Sequence, residues 1–218
     1  GCVEKILKEF AVRKVEDGTF RFCGKDIRQE EDFSIVVSCR NETDQIDPIR
    51  YTSEGRKLTD SATEQEIAQM RSVVGSLGWI ARQCRPDLSY MVSKLQGAVS
   101  KATIKDLKDT NSTVEQARDY SGAYLKFRSD AINWDDCIIV TVTDASFAQE
   151  TIIEASGKLK PHRTQKAFMV LLVDPSIVHN PTAGCHIWCW RSLTDKRVCR
   201  ATLQGEAHGL LSDTEAGD

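Results

Sequence analysis

Two acidic residues stand where a hydrolytic metal site would need them. Asp144 closes a β-branched apolar run, Cys137 to Thr143. Glu206 lies in a later stretch, Leu203 to Leu211, whose Leu203, Ala207 and Leu210 recur at helical spacing. Mg2+ takes hard oxygen ligands and keeps water and phosphate for the rest of its shell. One carboxylate at a strand end and another one turn into a helix therefore suit an ion held against a phosphodiester. Taken alone, the pair is better explained as a turn residue and a solvated helix residue. Two basic stretches accompany the acids: Lys158, Lys160, Arg163 and Lys166 in a segment without acids, and Arg191, Lys196, Arg197 and Arg200 interrupted only by Asp195. Such stretches serve as phosphate contacts or as solvated loop charge.

For acids this far apart to meet, the chain between them must fold back on itself, and the pattern supplies the means. After Cys137 to Thr143 come two more β-like runs, Ala167 to Val173 and His186 to Arg191, the last carrying Trp188 and Trp190. Turn signals at Gly157 and Pro161, then at Pro175, Pro181 and Gly184, separate them. Three strands in series with short connections read as an antiparallel meander, and the helical stretch with Glu206 follows it. Alternation along an apolar strand favours packing for both tryptophans over base stacking.

The middle of the chain reads as helical. Ser61 and Thr63 each have a Glu three residues on, Glu64 and Glu66, so either pair suits a capping box. Ile67, Met70, Val74, Leu77 and Ala81 then form one apolar face. This helix should stop before Arg85-Pro86, with Pro86 opening a second whose stripe is Leu88, Met91, Val92, Leu95 and Val99. A third helical stretch takes up much of 103–128, with Val114, Ala117, Tyr120, Tyr124 and Phe127 in phase and Asn111-Ser112-Thr113 as a point of division. Upstream, residues 19–40 read as a hairpin. Phe20 and Phe22 alternate on one arm, Phe33, Ile35, Val37 and Cys39 on the other, and charged residues 25–32 join them. Residues 41–60, with Pro48 and Gly55, read as irregular.

A net charge of −3 excludes a protein that coats nucleic acid by bulk electrostatics. No apolar stretch approaches the roughly 20 residues of a membrane helix, so no membrane partner is expected. Eight scattered cysteines suit reduced thiols and a cytoplasmic or nuclear setting. Cys185, His186 and Cys189 lack a second ligand pair at zinc-site spacing. The first residues, Gly1-Cys2-Val3, offer neither Met nor leader, and the sequence reads as a piece of a longer chain.

Residues 70–90, MRSVVGSLGWIARQCRPDLSY, resemble a segment of copia-type LTR retrotransposon Pol polyproteins that ends in Arg-Pro-Asp-Leu-x-Tyr, here Arg85 to Tyr90. Phe22-Cys23-Gly24 is similar to that family's Phe-Leu-Gly hairpin beyond the polymerase site. Thr143-Asp144-Ala145 resembles the Ser-Asp-Ala that opens its RNase H, and Trp190-Arg191-Ser192 its Trp-Arg-Ser. The spacing from Ser192 to Glu206 agrees without a gap. The resemblance implies an α+β chain with a palm-like hairpin and linker over 1–60, a helical thumb/connection-like region over 61–130, and a truncated RNase H-like domain over 135–218, a partial sheet with one helix. It carries Asp144 and Glu206 over as catalytic, Mg2+-binding residues, and it implies as partners an RNA/DNA hybrid and the rest of the Pol polyprotein. Ancestral work would be RNA-directed DNA synthesis and cleavage of RNA in hybrids. Departures are plain: Ala201 to Gly205 differs from the usual Ser-Ser-Thr-Glu-Ala, no Tyr-x-Asp-Asp occurs, and the third RNase H acid is not present. The chain is therefore expected to be inactive by itself, with Mg2+ binding weak or absent. A non-catalytic nucleic-acid-binding or assembly module is the alternative, and an unrelated α+β interaction protein a third.

Overall fold

The computed structural model describes residues 2–12, 14–150, 163–195, 204–207 and 209. Of the two possible capping boxes, Thr63 and Glu66 form one. The Thr63 hydroxyl accepts the Glu66 N–H, and the Glu66 carboxylate accepts the Thr63 N–H at 2.8 Å. Ser61 instead makes an isolated bridge to Thr103. From this cap the helices run α1 (Cys2–Glu9), α2 (Arg40–Asp44), α3 (Glu64–Gln83), α4 (Ser89–Ala98) and α5 (Ile104–Asp119) in chain order. Met70, Val74, Leu77, Ile80 and Ala81 of α3 are buried, as are Leu88, Val92 and Leu95. Helix α3 ends before Arg85 as expected, and Pro86 opens a 3-10 turn, Pro86–Leu88, that leads into α4. Helix α1 has no counterpart in the sequence reading, and its residues from Val3 on are exposed.

Helix α5 is not divided at Asn111-Ser112-Thr113. Polar residues divide a helix when they draw its backbone away from the ladder, and here the helix runs on through them to Asp119. Thr110 and Thr113 donate to the carbonyls of Asp106 and Asp109 one turn back, and the Asn111 amide accepts the Ile49 N–H at 2.7 Å and donates to its carbonyl at 2.9 Å. Two adjoining cores result. One gathers Cys39, Ile46, Leu77, Ile80, Leu88 and Val114, the other Ile49, Met70, Val74, Leu95, Ile104 and Leu107.

The sheets correct two expectations. Strands β1 (Thr19–Phe22), β2 (Lys25–Gln29), β3 (Ile35–Ser38) and β4 (Tyr124–Phe127) form one antiparallel sheet in that order. The charged stretch expected to join two arms is itself a strand. Cys23 and Gly24, with φ of 47° and 75°, turn the chain within two residues. Ile27 then aligns between Phe20 and Val37, while Asp26 and Arg28 take the other face. Gly24 is required twice over, since a Cβ there would also lie 2.9 Å from the Trp79 ring. Tyr124 and Phe127, expected on a helix, lie in β4. Helix α5 stops at Asp119, a turn over Tyr120 to Ala123 follows, and the free edge of β3 takes up Tyr124–Phe127.

Strands β5 (Ile138–Glu150), β6 (Arg163–Val173) and β7 (Cys185–Thr194) form the second sheet, antiparallel in chain order, as the meander reading requires. Each strand is longer than the apolar run that announced it. Cys189 and Ile187 pair with the consecutive residues Val170 and Leu171, so Trp188 is the extra residue of a bulge. It is 65% exposed, contrary to the packing expected of it, whereas the Trp190 indole donates to the Ala81 carbonyl of α3 at 2.8 Å. Gln165 completes the docking. Its amide donates to Ser93 of α4 and to Ser192, and its carbonyl accepts from Thr194. The whole is an α+β fold with two antiparallel sheets against one helical unit.

Candidate metal and nucleic-acid site

Asp144 lies inside β5 rather than at its end, paired with Ala167 of β6, which in turn pairs with Ser192 of β7. Ser192 and Gln165 meet on the side of the sheet that faces α4, so alternation assigns Asp144 to that side as well. Its position at the outer strand leaves it exposed.

Glu206 is helical and half-buried, within the described helical residues 204–207 and 209. Two glycines show how this segment sits on the sheet. A Cβ at Gly205 would lie 3.1 Å from Thr164 Cγ2 and 3.8 Å from Ala145 Cβ, and one at Gly209 would lie 2.7 Å from Thr143 Oγ1. Glycines one turn apart thus let the helix press on Thr143, Ala145 and Thr164. Gly205, a departure from the family pattern, is the residue this close approach needs. Thr143 and Ala145 flank Asp144 and point to the opposite side of β5. The fold therefore brings the Glu206 helix against the strand bearing Asp144, on the side of β5 opposite to the one the Asp144 side chain takes.

No family model matches this sequence, and no curated protein matches it. What the site can do rests on its own geometry. Among the described residues, no group of three or more His, Cys, Asp or Glu side chains is placed to hold a metal ion. The donor set of Asp144 and Glu206 does not fit a two-ion hydrolytic centre, which needs several converging carboxylates.

Of the basic candidates, Lys158, Lys160, Lys196, Arg197 and Arg200 lie outside the described residues. Arg163 is not in a loop between strands, as expected, but is the first residue of β6, opposite Glu150. Lys166 is half-buried within β6 between Ala145 and Leu193, which corrects its assignment to a solvated loop. Arg191 is exposed within β7, which continues to Thr194.

The Arg-Pro-Asp motif is a joint. Arg85 is buried, and its guanidinium donates to the carbonyls of Ala117 and Tyr120, both at 3.0 Å, and to both oxygens of Asp87 at 2.8 and 2.9 Å. It thereby caps the C-terminus of α5, where a cation also meets the negative end of the helix dipole. Proline supplies the turn that aims Arg85 inward.

One buried residue escaped the sequence reading of this region. His186 is 3% exposed, stacked on Trp134 with ring centres 5.7 Å apart and tilted against Phe127 at 5.5 Å. Neither ring nitrogen reaches a hydrogen-bond partner. Burial holds its pKa below the ordinary histidine value. Nearby, Gly184 meets the Ala131 carbonyl so closely that no side chain fits there. His186 and Gly184 thus seal the start of β7 to the linker that follows β4. The sequence placed His186 at the start of the third β-like run but showed no sign of its burial or its aromatic neighbours.

Proposed function

We propose that this chain is a segment of a copia-type retrotransposon Pol polyprotein, covering a thumb/connection-like helical region and part of an RNase H-like domain. Its ancestral work is copying RNA into DNA and cutting the RNA strand of the hybrid. The observation that carries the reading is the order of elements around Asp144: three antiparallel strands, then a helix bearing Glu206 that returns to press on the strand of Asp144 at Ala145 and Thr143. The motif residues Arg85, Pro86 and Asp87 support it from the other half of the chain, by forming the joint on which the helical unit depends.

By itself the chain does not cut. Asp144 takes the side of β5 away from the Glu206 helix, so no hydrolytic step is assigned to the pair, and Mg2+ binding is expected to be weak or absent. Backbone contact with nucleic acid through the basic stretches is the activity that remains, which favours a non-catalytic binding role for this segment.

The test is incubation of purified chain with an RNA/DNA hybrid in Mg2+ or Mn2+. No cleavage is expected, together with weak binding that ignores sequence and fades as salt rises, and that falls when Lys158, Lys160 and Arg163 are replaced by Ala. Cleavage abolished by Asp144→Asn or Glu206→Gln would overturn the inactive reading. Absence of hybrid binding even at low salt would overturn the nucleic-acid role.

A further inference from the structure

We infer that Cys39 and Cys84 form a dithiol site that hydrogen peroxide converts to a disulfide, tying the four-stranded sheet to the helical unit. Cys39 sits between β3 and α2, Cys84 at the end of α3, and their sulfurs lie 3.0 Å apart with the Cys39 thiol donating to Cys84. Both are free thiols, each 2% exposed, within the core that also holds Ile80, Leu88 and Val114. The sulfurs need to close by only about 1 Å to reach the disulfide bond length of about 2.05 Å. Burial shields the pair from bulky disulfide oxidants, so the oxidant proposed is the small, neutral hydrogen peroxide.

The pair is chemically unequal. The hydrogen bond from Cys39 outweighs burial and holds the Cys84 thiol below its ordinary pKa, helped by the charge of Lys25 and opposed by that of Asp26. The same bond and burial push Cys39 up. Cys84, which accepts the hydrogen bond, is assigned as the attacking sulfur, and Cys39, which donates it, as the resolving one. The Cys84 thiolate attacks a peroxide oxygen, the O–O bond breaks, and hydroxide leaves and is protonated to water, giving a sulfenic acid. The Cys39 sulfur then attacks the Cys84 sulfur, the S–O bond breaks, and the second oxygen leaves as water with the Cys39 proton. Two thiols and one peroxide become one disulfide and two waters. The cross-link closes a loop of 45 positions, so it removes unfolded-state entropy and braces β3 against α3.

The experiment treats the reduced chain with hydrogen peroxide, blocks remaining thiols in denaturant, and maps peptides by mass. A linked peptide pair carrying Cys39 and Cys84, reversed by dithiothreitol, is expected, with the melting temperature raised by about 5–15 °C in the oxidised form. In Cys39→Ala, a dimedone adduct at Cys84, trapped by unfolding the oxidised chain in dimedone, should replace the cross-link, and Cys84→Ala should abolish both. The map of the unmodified chain does not depend on either variant folding. Oxidation confined to the exposed Cys23 and Cys185, with Cys39 and Cys84 recovered as thiols from folded protein, would overturn the assignment.

Discussion

Replacing Arg85 by Ala isolates the joint between α3, α4 and α5. The guanidinium makes two hydrogen bonds to main-chain carbonyls at 3.0 Å, and hydrogen bonds from a charged donor contribute about 1.5–3 kcal/mol each. The two carbonyls fare differently once it is gone. Ala117 is 1% exposed, so its oxygen stays buried without a partner, whereas Tyr120 is 65% exposed and lies where water can reach. Adding the lost packing of a fully buried side chain gives a destabilisation of about 3–5 kcal/mol. Arg85→Lys keeps the charge but not the fork that serves Asp87 and two carbonyls at once, and should cost about half as much. Asp87→Asn should cost under about 1 kcal/mol, because the Asp87 side chain is 47% exposed. Urea unfolding followed by circular dichroism reads all three. With a slope near 2–3 kcal/mol per molar, Arg85→Ala should lower the midpoint by about 1.5 M. An Arg85→Ala midpoint within about 0.3 M of the parent, at unchanged slope, would refute the capping role. The order of the three variants also separates a joint from a phosphate contact, for which Lys would substitute well and stability would hardly move.

Gly209→Val should lift the helix bearing Glu206 from the sheet, since even a Cβ there lies 2.7 Å from Thr143 Oγ1; hydrogen exchange in β5 should quicken, and unchanged exchange would count against the packing. Gly205→Ala, with a contact of 3.1 Å to a methyl, should be milder. In β5, the outer strand, amides of Ile138–Thr143 that face away from β6 should exchange fast in the parent protein, and their uniform protection in a monomer would mean that another strand covers them. Acid should weaken the fold in two stages. The contribution of His186, whose folded pKa lies below 6.5, is complete above that value and is lost as pH falls through the folded one; that of Glu66, held by Arg56 and the Thr63 N–H down to about 2 from 4.5, is complete above 4.5 and is lost as pH falls towards 2. Urea midpoints against pH should lose the upper stage in His186→Phe and the lower in Glu66→Gln, and an unaltered profile in either variant would refute that assignment.

Patterns that repeat along one element were legible in the sequence, and those that depend on a distant partner were not. The capping box at Thr63, the stop before Pro86 and the buried stripes of α3 and α4 are local, because a helix satisfies its own backbone. The three strands of the meander were legible for a related reason: short connections leave antiparallel neighbours as the only economical pairing. Tyr124 and Phe127 defeated the same reading. Their spacing suits a helix face, but a strand needs its ladder partner, and the free edge of β3 lies some ninety residues upstream of them in the chain. Charged β2 was missed because only Ile27 of its five residues points inward with an apolar side chain, and the two-residue turn at Cys23-Gly24 was hidden by the absence of the usual Asn-Gly or Asp-Gly.

The candidate acids show how far spacing alone carries a site. The resemblance implied that a Glu206 helix packs back on the strand of Asp144, and Gly205, one of the two glycines that permit the approach, was visible as a departure from the motif. Which side of β5 Asp144 takes was not visible, because that is decided by one residue of register. The run Cys137 to Thr143 suggested a strand that ends before Asp144; the strand instead continues to Glu150, so Asp144 keeps strict alternation and falls between two residues that face the helix. A strand that ended at Thr143 would have freed Asp144 to turn towards Glu206. A bulge placed at 144–145, by inserting one residue there, should therefore bring the carboxylate round to the helix side. Mn2+ binding measured by electron paramagnetic resonance is the readout, and tighter binding in the insertion variant than in the parent, lost again with Glu206→Gln, is the expected outcome. Equal binding in parent and insertion variant would mean that register does not keep the two acids apart.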